Sequence, residues 1–447
     1  MNENVLLVGN SARGHAIAEA IIRSKPTPVL FAYMKANNPG IAALADKVQI
    51  GGYDDLKKIT GFARSQGASL AVIDSEEPLK NGVADALEIA RIPVVGPGQL
   101  ETQLETSKAF TRELMKQYNV AGSPKSKTFR TMDGIEEYLK ENMPCVLKPD
   151  GLTGGKGVMV QGEHFNTVDE ALGICLDILT HRPTVVIEEK LEGEEFSLQC
   201  FCSGLIVVPM PPVQDHKRRL IGDQGLNTGS MGSYSCPDHL LPFLTQDDLN
   251  QAVDILEQIV LVLYLETGGY YRGIIYGGFM LTAPGLKLLE INARFGDPEA
   301  INVLSLLETD FLDICRSITC PRNYGKLNQL DIRFKPLATV VKYVVPVNYG
   351  LPKNQYVQTA SDVIQLDNPG EARLYYSSVA SKRTVIRLTS SRAVAVLGTG
   401  SDLAEAERIA EQGTRAVIGA VDHRSDIGTA ALIAKRVRHM EKLKKTK

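Results

Sequence analysis

Glu290 and Asn292 stand two apart in the apolar run Leu288-Leu289-Glu290-Ile291-Asn292, which reads as a strand. Residues two apart on a strand share a face, so a carboxylate and an amide oxygen are presented together. Both are hard oxygen donors, a pair suited to Mg²⁺ (or Mn²⁺) rather than to zinc or copper. Arg294 lies on the same face if the strand continues, and Phe295-Gly296-Asp297-Pro298-Glu299 follows. So many charged and amide groups beside one apolar strand exceed what cross-strand hydrogen bonding requires. The chemistry they suit is metal-assisted transfer of a charged group.

A second cluster surrounds Lys148, which ends the strand Cys145-Val146-Leu147-Lys148 and leads into Pro149-Asp150-Gly151-Leu152-Thr153-Gly154-Gly155-Lys156-Gly157. Gly154, Gly155 and Gly157, with Lys156 among them, make a flap whose N–H groups can cover a polyphosphate. The Walker pattern is absent. Lys108, on the preceding helix, adds a second cation, and two lysines flanking a glycine flap form a clamp for the tail of ATP. Further on, Val185-Val186-Ile187 runs into Glu188-Glu189-Lys190-Leu191-Glu192-Gly193-Glu194-Glu195. As a hinge, this segment gives backbone groups to an adenine edge and a carboxylate to ribose hydroxyls. As a solvated acidic loop it does neither.

The first strand-to-helix turn is Gly9-Asn10-Ser11-Ala12-Arg13-Gly14-His15. A dinucleotide fingerprint fails there, with serine at 11 and Tyr33-Met34-Lys35 where an acidic residue belongs. Backbone N–H groups at a helix N-terminus, beside Arg13 and His15, suit a phosphate or carboxylate. The plainer reading is a structural turn with a surface arginine and a packed histidine.

These groups need a frame, and the chain has length for one. Its 447 residues suggest about three domains. With 49 Lys and Arg against 52 Asp and Glu the net charge is −3, which removes the electrostatic case for nucleic acid or an anionic membrane as main partner. The longest apolar run, Ile259 to Leu265, is far short of a membrane span. No signal-peptide core follows Met1, and seven scattered cysteines are too few for a disulfide framework. A reduced, cytoplasmic α/β protein is expected. Short strands at 5–9, 28–34, 69–74 and 92–96 alternate with helical stretches, which predicts an open parallel α/β domain. Beyond 124 the pattern becomes strand, helix and strand with glycine-rich turns. Thr245 and Asp248 have capping-box spacing ahead of a long helix over 245–266. The tail offers strands at 338–345 and 393–397, a helix from Asp402, and a basic end at 442–447 expected to fray.

Along nearly its full length the chain is similar to the glycinamide ribonucleotide synthetase (phosphoribosylamine–glycine ligase) family of the ATP-grasp superfamily. The segments that carry the likeness are Arg13-Gly14-His15-Ala16, SEEPLKNGVADAL at 75–87, the stretch 94–115 around LETSKAF, VLKPDGLTGGKGV and VVIEEKLEGEEFS. QDHKR at 214–218, NTGSMGSYS at 227–235, LLEINARFGDPEA and HRSDIG at 423–428 continue it. LEINARFGDPE and QDHKR are the specific ones, whereas the glycine flap is common to many ATP-grasp ligases.

The resemblance implies an N-terminal α/β domain over 1–103, an ATP-grasp region over 104–322 with a mobile lid at about 123–192, and a C-terminal α+β domain over 323–447. It implies an ATP-dependent ligase joining glycine to 5-phosphoribosylamine through a glycyl phosphate, as a monomer or weak homodimer. Lys108 and Lys148 would hold phosphates, Glu188 to Leu191 the adenine, Glu195 the ribose, and Glu290 and Asn292 the metal. Arg294 and Asp215 would serve the amino acid and transition state, and Arg13, His15 and Glu76 the ribosylamine. Three loops depart from the family pattern: 11–14 lacks the acidic member of GGREH, 74–75 replaces a glycine and a proline, and 224–236 is altered. These changes leave room for a related ligase with another acid or amine, or for a nucleotide-binding regulator.

Overall fold

Four of the expected short strands form the centre and one side of a parallel sheet. Its order is Lys47–Ile50, Val29–Met34, Asn4–Val8, Leu70–Ile73, Val94–Val95. Lys47–Ile50, which apolar patterning misses, is an edge strand of exposed and half-buried residues. The three inner strands are buried on both faces, as parallel strands under helices must be. The chain runs from Asn4–Val8 out to the Lys47–Ile50 edge and then crosses back to Leu70–Ile73 on the other side, so a crevice opens beyond the carboxyl end of Asn4–Val8. The turn carrying Ser11 and Arg13 sits there, beside Asp74. The computed structural model describes residues 3–152, 157–319, 326–382 and 385–445. Gly154, Gly155 and Lys156 lie outside the described residues.

An antiparallel sheet supplies the floor of the main cleft, in the order Ile206–Pro209, Gly193–Gly204, Tyr271–Thr282, Gly285–Asn292. The helix Gln246–Thr267 packs Ile255, Leu256, Ile259 and Leu263 into the core alongside it. Its start is the capping box expected from spacing: Thr245 Oγ1 accepts the Asp248 N–H and the Asp248 carboxylate accepts the Thr245 N–H. A register shift occurs near Gly278, so that Gly278 faces Glu290 while Phe279 faces Leu288.

A second antiparallel sheet, Ser126–Phe129, Val185–Glu189, Cys145–Pro149 and Met159–Val160, carries the helices Ile135–Asn142 and Val168–His181. Phe129, Leu147, Cys175, Ile178 and Ile187 give this unit a core of its own. A third sheet joins the middle of the chain to its end: Gln214–Asp215, Gly232–Ser235, Ala338–Pro346, Val394–Gly400, Arg373–Tyr376. Asp215 pairs with Ser233, and that strand is held in turn by Ala338–Pro346, more than a hundred residues downstream.

The basic end differs from the fraying expected of it. A helix runs over Ala430–Lys445, with Leu432 and Met440 buried and His439 Nδ1 2.6 Å from Glu194 Oε1. Apolar anchors and one buried carboxylate hold the helix as far as Met440, while Lys442, Lys444 and Lys445 stay exposed as their composition suggests. Among the described residues no helix is long and apolar enough to cross a membrane.

Candidate active site

One cavity is lined by Arg13, Glu76, Lys108, Asp215, Glu290, Asn292 and Arg294, residues drawn from three of the sheets and their connections. Its floor is the end of the strand Gly285–Asn292. The Glu290 carboxylate faces the cavity and accepts no hydrogen bond from any described residue. Burial would raise its pKa, yet Lys217, Lys148, Lys108 and Arg294 together hold it below the usual range. Asn292 is buried, and its Oδ1 accepts from Arg294 Nη2 at 3.0 Å, which fixes the orientation of the amide. The strand stops at Asn292, so Arg294 reaches the same place by folding its side chain back rather than by strand alternation.

Among the described residues, protein groups take four of the five N–H donors of Arg294, leaving one on Nη1. Nε lies 3.1 Å from Glu76 Oε2, Nη1 donates to the Phe295 carbonyl at 3.1 Å, and Nη2 also faces Glu105 Oε1 at 2.8 Å. Glu76 is a third exposed and also receives Arg13 Nη2 at 3.0 Å. Burial acts to raise Glu76, but the Arg294 and Arg13 guanidiniums hold it down at about 2. Glu105, more deeply buried, is pushed up to about 7 by burial despite the opposing pull of Arg294.

Lys108 begins the helix Lys108–Gln117, capped by Ser107 Oγ on the Phe110 N–H. Its Nζ donates to the Gly151 carbonyl at 2.8 Å, and burial lowers its pKa against the pull of Glu290. Lys148 lies behind the cavity wall with its Nζ 2.7 Å from Glu188 Oε2. Arg112 Nε sits 2.6 Å from Glu188 Oε1 and its Nη2 donates to the Leu288 and Leu289 carbonyls. Burial would raise Glu188, but Arg112 and Lys148 hold it at about 2. Its carboxylate is the counter-ion of two buried cations and does not open toward the cavity.

The rest of the hinge is more selective than the sequence suggests. The N–H groups of Glu189 and Lys190 already donate to the Lys125 and Pro144 carbonyls, at 2.9 and 3.0 Å. The Leu191 N–H has no partner among the described residues, so the hinge presents one clear backbone donor. Glu195, at the rim, lies 3.1 Å from Lys217 Nζ. Burial pushes Asp215 up to about 7, with Lys217 opposing and Glu299, Glu195 and Glu290 reinforcing the shift.

In the first turn the anion is the protein's own. Asp74 Oδ2 accepts from the Ser11 N–H at 3.1 Å and from Ser11 Oγ at 2.8 Å. Arg13 is buried rather than on the surface, donating to the Phe295 carbonyl at 2.9 Å as well as to Glu76. His15 stays out of the cavity: its Nδ1 accepts the Tyr376 N–H, its ring packs on Tyr375 and Tyr376, and burial lowers its pKa to about 4.

The cleft combines two oxygen donors for a hard cation, lysines on either side of a glycine-rich segment, and a hinge with a free N–H. Comparison with known proteins decides the family. The sequence model described as "Phosphoribosylglycinamide synthetase, N domain" matches residues 3–105, and the one described as "Phosphoribosylglycinamide synthetase, ATP-grasp (A) domain" matches residues 106–300. The chain belongs to the phosphoribosylglycinamide synthetase family. A phosphoribosylamine–glycine ligase of Methanocella arvoryzae is 44% identical over 440 residues, covering 98% of this chain and 99% of the relative. Among solved structures, the phosphoribosylamine–glycine ligase of Thermotoga maritima superposes with a TM-score of 0.76 at 26% identity, covering 95% of this chain and 99% of that one. The biotin carboxylase domain of a Hydrogenobacter thermophilus 2-oxoglutarate carboxylase, solved with MgADP, shares the fold with a TM-score of 0.71 at 17% identity, over 99% and 94%.

Four charged residues that the synthetase fold brings to or behind this cleft escape motif reading. Glu105 and Arg112 stand on two helices, Lys217 in the connection just before Arg218–Leu220, and Arg392 in the connection just before Val394–Gly400. Lys217 was visible inside QDHKR, though without a role, and Glu105 inside LETSKAF. Arg392 offers no local signal; its Nη1 donates to the Asp297 and Gly229 carbonyls at 2.7 and 2.5 Å, and its guanidinium stacks on Tyr343.

Proposed function

We propose that this chain joins glycine to 5-phosphoribosylamine at the expense of ATP, giving glycinamide ribonucleotide, ADP and phosphate, in keeping with its family. The observation that carries the reading is the convergence of Glu290, Asn292, Lys108, Arg294 and Asp215 on one cavity. A carboxylate resists attack by an amine because oxide would have to leave. Transfer of the ATP terminal phosphoryl group to glycine gives an acyl phosphate, and the amine then displaces phosphate.

The protein's part is electrostatic and geometric. Lys108 neutralises phosphate charge from one side, and Lys148, released from or shared with Glu188, does so from beneath. The Leu191 N–H is the adenine donor, and Glu195 marks the ribose end. Glu290 and Asn292 would hold Mg²⁺ (or Mn²⁺). An unpartnered carboxylate and an oriented amide oxygen are a fitting pair, because Mg²⁺ takes few protein ligands and completes its shell with phosphate oxygens and water. When bound, the metal supplies charge neutralisation at the phosphates. Asp215 and Glu299 provide negative charge for the glycine ammonium, and Arg294 lies on the opposite side for developing negative charge. Arg13, Glu76 and Arg392 frame the ribosylamine end, with the first turn closed to its phosphate by Asp74. The unit of residues about 123–192, with its separate core and glycine flap, is the lid that keeps water from the acyl phosphate. We further place the enzyme in the cytoplasm as a monomer or weak homodimer.

A related ligase with other substrates, or a regulator without turnover, is disfavoured by the full-length likeness to phosphoribosylamine–glycine ligases. The test is phosphate release from Mg·ATP. It should require glycine and phosphoribosylamine together; release with a different acid–amine pair and none with these would overturn the assignment.

A further inference from the structure

Glu105 occupies the short helix Gln103–Thr106, three residues before Lys108, with its side chain 4% exposed. Its two oxygens do two jobs. Oε2 receives the Ala293 N–H at 2.7 Å, and Oε1 faces Arg294 Nη2 at 2.8 Å. The peptide it grips follows Asn292 directly, and the guanidinium it holds is the one that donates to Asn292 Oδ1. One carboxylate therefore brackets the strand end from both sides of the amide.

We propose that Glu105 is the positioning residue that sets Arg294 at the glycine end of the cleft and, through it, the orientation of the Asn292 amide, a role that rests on the ligase reading above. The helix that carries Lys108 begins three residues after Glu105, so this contact also ties the phosphate side of the cleft to the glycine side. Glu76 holds the opposite edge of Arg294 through Nε, but it is a third exposed and shared with Arg13. Glu105 is the buried, two-point anchor.

Side-chain chemistry separates this role from simple charge balance. Glutamine at 105 offers one acceptor and one NH₂ group, so it must turn that NH₂ toward either the Ala293 N–H or the Arg294 guanidinium. Aspartate keeps both acceptors but is one methylene short. A pure charge-balancing role predicts that E105Q, by leaving the cleft more positive, binds anionic ligands at least as well and turns over normally. A positioning role predicts lost turnover, because a misplacement of about 1 Å near reacting groups costs on the order of a hundredfold.

The experiment first measures wild-type phosphate release with glycine and phosphoribosylamine; absence of turnover there would defeat the ligase reading and not this one. For E105Q the expectation is a fall in kcat of about a hundredfold and a raised KM for glycine. Calorimetric affinity for Mg·ATP should stay within about twofold, since Glu105 touches neither the hinge nor the lysines. E105D should recover part of kcat. Normal kcat and glycine KM in E105Q, or an ATP affinity falling in step with them, would overturn the proposal. If E105Q does not fold, E105D decides: wild-type kcat and glycine KM overturn the proposal, whereas a reduced kcat with intact ATP affinity supports it.

Discussion

Lys148 Nζ lies 2.7 Å from one oxygen of Glu188, and Arg112 Nε lies 2.6 Å from the other. This carboxylate balances two buried cations and fixes both before any nucleotide arrives. Replacing it with glutamine strands both charges in a dry site, so Glu188→Gln should lose about 3–5 kcal/mol of stability at neutral pH by denaturant titration. Because the folded pKa is held at about 2, below the ordinary carboxylate value of 4.5, this contribution is complete above pH 4.5 and fades as pH falls toward 2. Wild type and variant should converge in acid. Equal stability at pH 7 would mean that the trio contributes nothing net.

Glu290→Ala removes a charged oxygen from the cleft while leaving the hinge N–H and both lysines in place. Turnover should fall by at least about a hundredfold with a small change in ATP affinity, because the metal supports developing phosphoryl charge more than adenine contacts. Lys148→Ala should weaken ATP binding as well as turnover. A Glu290→Ala protein with a lowered thermal midpoint and undiminished turnover would defeat the metal assignment.

His15 predicts a pH effect of the opposite chemical type. Burial lowers its folded pKa from 6.5 to about 4, so the unfolded chain binds a proton more readily between those values. Stability from this residue is full above pH 6.5 and declines as pH falls toward 4. His15→Gln keeps an acceptor for the Tyr376 N–H but removes the titration. Between pH 7.5 and pH 5 the wild type should lose about 2 kcal/mol more than the variant. Asp215 and Glu105, raised to about 7, act in the reverse sense in both proteins and cancel in the difference. Identical pH profiles would show that His15 is not buried neutral.

Two glycines test the first turn against an open helix. A Cβ at Gly9, whose φ is +149°, would lie 1.9 Å from Asp74 Cγ, whereas one at Gly61 in the helix Leu56–Ser65 meets nothing within 4 Å. Gly9→Ala should destabilise strongly or fail to fold. Gly61→Ala should raise stability by about 0.5–1 kcal/mol in chemical denaturation. A well-folded Gly9→Ala would contradict the packing of Asp74 into this turn.

Strand alternation and motif spacing made much of the cleft legible in the sequence. Glu290 and Asn292 share a face because they sit on one strand, and Lys108 and Lys148 flank the glycine segment because local elements place them there. The Thr245–Asp248 cap was legible for the same local reason. What sequence could not give is pairing between distant segments. Alternation alone asks for a longer strand to bring Arg294 to this face, but Glu76 and Glu105, each about 190 residues or more away, draw it back. The family resemblance puts His15 at the ribosylamine, whereas Tyr376, 361 positions on, donates its N–H to His15 Nδ1. Glu188 belongs by position to the hinge, yet Arg112 claims it from the helix Lys108–Gln117. Asp74 read as a departure from a family motif, and only the fold shows that it fills the anion-binding turn.

The fate of one oxygen atom tests the central claim most directly. With glycine labelled with ¹⁸O in its carboxylate, Mg·ATP and phosphoribosylamine, a glycyl phosphate route transfers one labelled oxygen to inorganic phosphate, because the bridging oxygen leaves with the phosphoryl group. Mass spectrometry should find phosphate carrying one ¹⁸O for each amide formed. Amide formation with unlabelled phosphate would contradict the account.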